Sequence, residues 1–205
     1  ISLCREIEAD PQCVIPFPVD YPAGTVKLWE NDGDRLYAVA NTIRVLDSIE
    51  DIDSIVGVID ADDQLCEVRA LQWINRVYNS GNLGAVWTAN IWEPYGINLC
   101  SGNLDDSQNV YKHPWVSSHF RTFKLSNYKK VNPANFKDEN GDWMKRCEDQ
   151  TFMLPIIHVA HKNNEFTHFL QNPCYLYRGY QEIGGEAHQY QMNLEKFIRS
   201  RGFVE

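Results

Sequence analysis

The feature that most constrains this chain is Ile55-Val56-Gly57-Val58-Ile59 running directly into Asp60-Ala61-Asp62-Asp63. A short, near-continuous apolar run has the pattern of a strand buried on both faces, as in parallel sheets. Such a strand delivers its last residues to the carboxyl edge of the sheet, where open α/β sheets place their ligands. Three carboxylates gathered at that edge repel one another, and a divalent cation that prefers hard oxygen ligands, Mn2+ or Mg2+, would relieve the repulsion. The plainer alternative is that Asp62 or Asp63 caps the helix beginning near Glu67 while the other acids are solvated.

The flanking pattern sets the fold class. Leu36, Val39, Ala40, Ile43, Leu46 and Ile49 recur at helical spacing before the run. After it, a second helix from about Glu67 to Tyr78 carries Val68, Leu71, Ile74 and Tyr78 on one face, and Gly84 to Trp92 reads as a strand. Thr25 to Trp29 alternates like a strand and Asn31 to Asp34 is a turn, while Val14 to Val19, broken by Pro16 and Pro18, is at best an irregular strand. Strands alternating with helices predict an α/β protein with a largely parallel central sheet flanked by helices. The second half is more mixed. Pro94 to His113 reads as a surface excursion, His113 to Phe123 is aromatic without clear periodicity, and Glu148 opens a helix to about His161 that Pro155 should kink or end. Phe166 to Leu170 and Cys174 to Tyr177 read as short strands, and Glu186 to Arg201 as a helix with Tyr190, Leu194, Phe197 and Ile198 inward.

Composition then removes several classes of function. With 19 Lys+Arg against 28 Asp+Glu the formal charge is 19 − 28 = −9, too acidic for a general binder of nucleic acid polymers. A single nucleotide remains possible, because a divalent cation can bridge carboxylates to phosphate oxygens. No apolar run approaches the roughly 20 residues that span a bilayer, so no transmembrane segment is expected. Six cysteines without a C-x-x-C pair, and no signal-peptide pattern at Ile1 to Glu6, predict buried free thiols in a reducing, cytoplasmic setting rather than three disulfides, with any membrane association through partners or other domains. Length favours one domain.

A second acidic feature, Glu148-Asp149-Gln150, follows the first aspartate by 149 − 60 = 89 residues. Acids at a helix N-terminus are ordinary dipole chemistry, and the functional alternative is a general base at the edge of the site. The histidines at 113, 119, 158, 161, 168 and 188 form no zinc motif, and His158 and His161 are expected on a solvated helix face. The sequence has no G-x-G-x-x-G, P-loop or G-x-S-x-G pattern.

Taken in order, Ala38-x-x-Asn41, the strand into D-A-D-D, H-F-R-T-F at His119 to Phe123, E-D-Q at 148–150, L-P-I-I-H-V-A at 154–160 and Cys174-Tyr175-Leu176-Tyr177-Arg178 resemble a nucleotide-sugar glycosyltransferase of the GT-A fold, closest to the family 2 type. The similarity runs over about residues 14–180, and it implies one domain, 1–205, whose half 1–100 binds nucleotide sugar and metal and whose half 101–205 holds acceptor and catalytic base. It implies a Rossmann-like, mostly parallel sheet and a metal-dependent, inverting transfer of a sugar, with a UDP-linked donor expected, to a carbohydrate acceptor hydroxyl. Asp62 would ligate Mn2+ or Mg2+ on the donor diphosphate, and Asp60 would contact the metal or the donor ribose. Asp149 would be the base, Asp20 would lie near the nucleobase, and Arg35 or Arg44 would replace the donor-phosphate arginine that many relatives carry where Ala40 stands. His188 is a candidate third metal ligand, with an ordinary surface histidine as the alternative. Trp87, Trp92, Trp115 and Trp143 offer rings for a sugar-stacking acceptor wall, or else core packing. Acceptor binding is assigned to Trp87, Trp115, Glu148 and Arg121. The family's opening strand with its T-Y-N-like motif is absent, which suggests a domain of a larger enzyme. A retaining transferase or nucleotidylyltransferase on the same fold, and a non-catalytic carbohydrate-binding module, are the alternatives.

Overall fold

In a computed structural model of the chain, residues 36–93, 95–179 and 184–205 are described. The expected strands at 14–19 and 25–29, the turn at 31–34, and the candidate residues Asp20 and Arg35 lie outside the described residues. Helix α1 (Ala38–Asp47) leads into strand β1 (Ile55–Val58), followed by the short β2 (Gln64–Leu65), helix α2 (Ala70–Ser80) and the long β3 (Leu83–Trp92). After an irregular stretch come β4 (Arg121–Lys124), the single-turn α3 (Leu125–Tyr128), helix α4 (Glu148–Lys162), β5 (Phe166–Tyr177) and helix α5 (Glu186–Arg201).

The α/β class holds, but the sheet is not mostly parallel. Its five strands lie in the order β1-β4-β3-β5-β2. Only β3 and β5 pair in parallel, while β1–β4, β3–β4 and β2–β5 are antiparallel. The difference comes from β4, which has no apolar run to announce it and inserts between β1 and β3. Two antiparallel pairings in succession restore direction, so β1, β3 and β5 run the same way. Their carboxyl ends therefore open on one side of the sheet, together with the start of β4.

Burial also falls differently along the sheet. Among the described residues β1 pairs only with β4, and Ile55 and Ile59 remain 41% and 47% exposed. The strand buried on both faces is β3, where every residue from Leu83 to Asn90 is buried. Gly57 lets β1 settle close to the sheet, since a Cβ there would stand 2.7 Å from Phe120 Cζ. Helix α2 begins at Ala70, so Val68 precedes it and is exposed, as is Leu71. The inward face is Ala70 and Ile74, with the Tyr78 hydroxyl 3.1 Å from Thr122 Oγ1.

The main core packs β3 and β4 against α1, α4 and α5, with Trp87, Met153, Leu154, Ile156 and Ile157 fully buried. Each such side chain contributes about 1.5–3 kcal/mol of apolar burial. Helix α4 is buried from Gln150 to Ile157 and runs through Pro155 to Lys162 without the expected end. Burial of that kind outweighs the roughly 3 kcal/mol that an interior proline costs. The two short strands expected at 166–170 and 174–177 are the halves of β5, joined across a bulge where Thr88 faces Leu170 but Ala89 faces Pro173. His158 and His161 are not a solvated face. His158 stacks on Phe203 at 4.2 Å, and His161 Nε2 lies 2.8 Å from Asp106 Oδ1. Cys66, Cys100, Cys147 and Cys174 are free thiols, the first two exposed and the others buried. No helix among the described residues is long and apolar enough to cross a membrane.

Candidate functional site

The carboxyl ends of β1 and β5 and the start of β4 bring a compact set of polar groups together. Asp60 follows β1, and its N–H donates to the Tyr175 hydroxyl oxygen at 3.0 Å. The chain then turns, with the Asp63 N–H donating to the Asp60 carbonyl at 3.1 Å. That turn brings the Asp63 carboxylate back to the sheet, where Oδ1 accepts from the Arg178 N–H at 2.7 Å. Its other oxygen, Oδ2, is sealed from solvent without a well-formed hydrogen bond, and the Tyr175 hydroxyl, close enough to lower the Asp63 pKa, is a donor beside this carboxylate. An oxygen in that position is an incomplete arrangement, because buried polar atoms are normally paired.

His119 closes the group from the β4 side. Its ring stacks on Tyr175 at 4.9 Å and on Tyr177 at 4.8 Å, with interplanar angles of 10° and 14°. Nδ1 lies 3.7 Å from Asp60 Oδ2. Arg121, two residues on and 3% exposed, places Nη1 at 3.0 Å from the same Nδ1 and Nη2 at 3.7 Å from Asp60 Oδ1. A guanidinium has only donors, so Nδ1 accepts and the imidazole is neutral with its proton on Nε2. Burial first, and then the Arg121 charge, push the His119 pKa down to about 3.

Asp60, Asp63 and His119 offer one ligand atom each within 4.8 Å of one another. Two carboxylate oxygens and one imidazole nitrogen are donors of the kind that could hold a first-row divalent cation, although Arg121 already engages His119 Nδ1. Carboxylates here are also electrostatically loaded. The Asp60 pKa is raised by burial, opposed by Arg121 and reinforced by Glu148, Asp63 and Asp62. Asp63 is raised by burial as well, against the Arg178 N–H bond.

Asp149 sits in the first turn of α4, just after Cys147, which starts the helix from a left-handed conformation at φ 60°. Its Oδ1 accepts from the Gln150 N–H at 2.8 Å. Burial lifts its pKa to about 6, with Arg121 pulling down and Glu148 and Glu195 pushing up. The Tyr177 hydroxyl is pushed up to about 12 by burial and by the fields of Asp63, Asp60, Asp149 and Asp62. Tyr177 thus senses both the cluster at the end of β1 and the carboxylate at the start of α4.

No protein-family model matches this sequence, and no curated protein matches it at a significant level. The chemistry of the site therefore rests on its own geometry.

That geometry brings together some of the residues expected from the sequence and separates others. Asp60, Arg121, Glu148 and Asp149 share one electrostatic neighbourhood. Asp62 is exposed and is not part of the three-residue donor group, which takes Asp63 instead. His188 lies in the first turn of α5, also outside that group. Trp87 is fully buried with Nε1 bonded to the Gly102 carbonyl at 2.9 Å, so it is a core residue and no acceptor wall. Trp115 is half-buried against the main core. Arg121 is a buried counter-charge with no surface for an acceptor. Trp92 remains at the carboxyl end of β3, in contact with the exposed Tyr95 at 4.6 Å between ring centroids.

Asp63 is expected from the sequence only as one of three clustered carboxylates or as a helix cap, and no individual role is expected for His119, Tyr175 or Tyr177. A usable signal was present, since His119/Arg121 and Tyr175/Tyr177 are i,i+2 pairs and therefore share a face of an extended chain.

Proposed function

We propose that this chain is a metal-dependent glycosyltransferase that moves a sugar from a nucleoside-diphosphate sugar to a carbohydrate hydroxyl with inversion. The observation that carries this reading is the Asp60–Asp63–His119 group, within 4.8 Å, in the same electrostatic neighbourhood as a carboxylate whose pKa is raised to about 6. Perturbed carboxylates beside a possible cation site are what diphosphate departure and proton removal require. Asp60, Asp63 and His119 would hold Mn2+ or Mg2+, which when bound offsets charge on a leaving diphosphate.

Asp149 is suited to the base role. With a pKa near 6 it is a carboxylate at neutral pH, yet a stronger base than an ordinary aspartate. Arg121 moderates the shift, because its charge lowers the pKa of both Asp149 and Asp60. Tyr175 and Tyr177 hold the His119 ring, and Tyr175 also anchors the Asp60 backbone. For stacking an acceptor sugar, Trp92 with Tyr95 replaces the buried Trp87.

One observation favours a second reading, a non-catalytic carbohydrate-binding module. Arg121 is a buried cation beside Asp60, and it supplies part of the charge compensation that a metal would otherwise provide. A thermal-shift panel of nucleotide sugars with and without Mn2+ separates the two. A metal-dependent rise in Tm with one donor, and sugar transfer lost in Asp149→Asn with the fold retained, support the enzyme. A saccharide that stabilises the protein with no nucleotide or metal effect supports the module.

A further inference from the structure

Arg121 stands in an unusual relation to the donor group. Metal-ligating histidines ordinarily keep one nitrogen for the metal and donate from the other to an acceptor. Here a buried guanidinium donates to Nδ1 at 3.0 Å, the same nitrogen that faces Asp60 Oδ2 at 3.7 Å. The second guanidinium nitrogen approaches the other Asp60 oxygen at 3.7 Å. Arginine stays protonated at any accessible pH, and this one is 3% exposed, so it cannot discharge its effect into water.

We infer that Arg121 and a divalent cation compete for one set of donors, His119 Nδ1 and the Asp60 carboxylate, so that Arg121 limits how tightly the cluster holds a cation. This rests on the cation reading of the cluster and not on sugar transfer. A dication entering the group meets a positive charge within a few ångströms and a histidine lone pair already engaged. An anionic ligand beside the cation offsets that repulsion, so a nucleoside diphosphate should strengthen cation binding to the wild-type protein. Arg121 is then a positioning residue that makes the cation conditional on its anionic partner, and it touches neither ligand.

The test compares Mn2+ affinity by titration calorimetry for the wild type, Arg121→Met and Arg121→Lys, each checked for folding by circular dichroism, with and without UDP. Removing the charge in Arg121→Met should tighten Mn2+ binding by roughly tenfold or more, whereas Arg121→Lys should stay within about threefold of wild type. A folded Arg121→Met that binds Mn2+ no more tightly than wild type overturns the inference. Should Arg121→Met not fold, histidine-selective 15N NMR of the wild type titrated with Zn2+ decides. A shift of His119 Nδ1 as Zn2+ binds supports competition, and binding that leaves Nδ1 unmoved overturns it. Tighter Mn2+ binding in Arg121→Met with no response to UDP or any nucleotide sugar keeps the competition between Arg121 and the cation, and overturns both its coupling to a nucleoside diphosphate and the glycosyltransferase reading. Nucleotide-sugar binding with no gain in Arg121→Met removes this inference alone.

Discussion

Asp60 and His119 face each other across the β1–β4 register, with Oδ2 and Nδ1 3.7 Å apart. The pairing of Val58 with Arg121 continues by two residues in each direction to bring them opposite. Neither residue lies in the hydrogen-bonded ladder, which ends at Val58 and Arg121; the run of both strands past that end sets the contact, and the turn after Asp60 adds Asp63 to it. This places the D-A-D-D segment in the site through its first and last acids.

Asp63→Asn should weaken divalent-cation binding by roughly tenfold or more, while Asp62→Asn should change it by less than about threefold. Asp62 is exposed and outside the donor group. Mn2+ titration followed by electron paramagnetic resonance reads both variants. The reverse ranking would mean that the first and second acids of the segment, Asp60 and Asp62, are the ligands.

Asp149 gives a pH dependence of defined sign. As a base it must be ionised, so transfer should rise with pH to a plateau above about 6, and Asp149→Asn should lower kcat by roughly 10²–10⁴-fold. A pH–rate profile checks the first and single-turnover kinetics the second.

The same group acts on stability. Its folded pKa of about 6 lies above its ordinary value of 3.8, so its contribution is fully present below 3.8 and lost as pH rises through 6. Relative to Asp149→Asn, the wild type should lose Tm between pH 4 and 6 and stay lower above that. Melting curves of the two proteins from pH 4 to 8 should therefore separate by pH 6 and run parallel beyond it.

Tyr175→Phe removes the oxygen that accepts the Asp60 N–H while keeping the ring that stacks on His119. The expected cost is about 1–2 kcal/mol, measured by denaturant unfolding, because a half-buried donor loses its partner. Gly57→Val should cost about 1–3 kcal/mol by forcing a side chain against Phe120.

The sequence made the strand into Asp60, helices α1, α4 and α5, and strand β3 legible, since each carries a periodic or continuous apolar signal. Strand β4 was not legible. Arg-Thr-Phe-Lys has no strand-like run, and its burial is set by neighbours distant in the chain. Missing it turned two antiparallel pairings into one expected parallel one. On α2, Val68 precedes the helix, and the inward row is the i,i+4 line Ala70, Ile74 and Tyr78 rather than the expected line through Leu71. For the site, the motifs held the right segments, but single roles within them depend on which way a turn or pleat points. Asp62 and Asp63 are adjacent in sequence, and only the turn decides between them. Trp87 and Trp92 lie on one strand, and only the depth of the sheet separates core from surface.

The Asp60–Asp63–His119 group is proposed to hold a divalent cation for a nucleoside-diphosphate sugar. Titration calorimetry of the wild-type protein with a panel of nucleotide sugars, with Mn2+ and then with excess chelator, tests it most directly. The expected result is saturable binding of at least one donor that needs Mn2+ and disappears in the Asp60→Asn, Asp63→Asn double variant. Donor binding unchanged by chelator and by the double variant, or no binding of any nucleotide sugar with Mn2+ present, would contradict it.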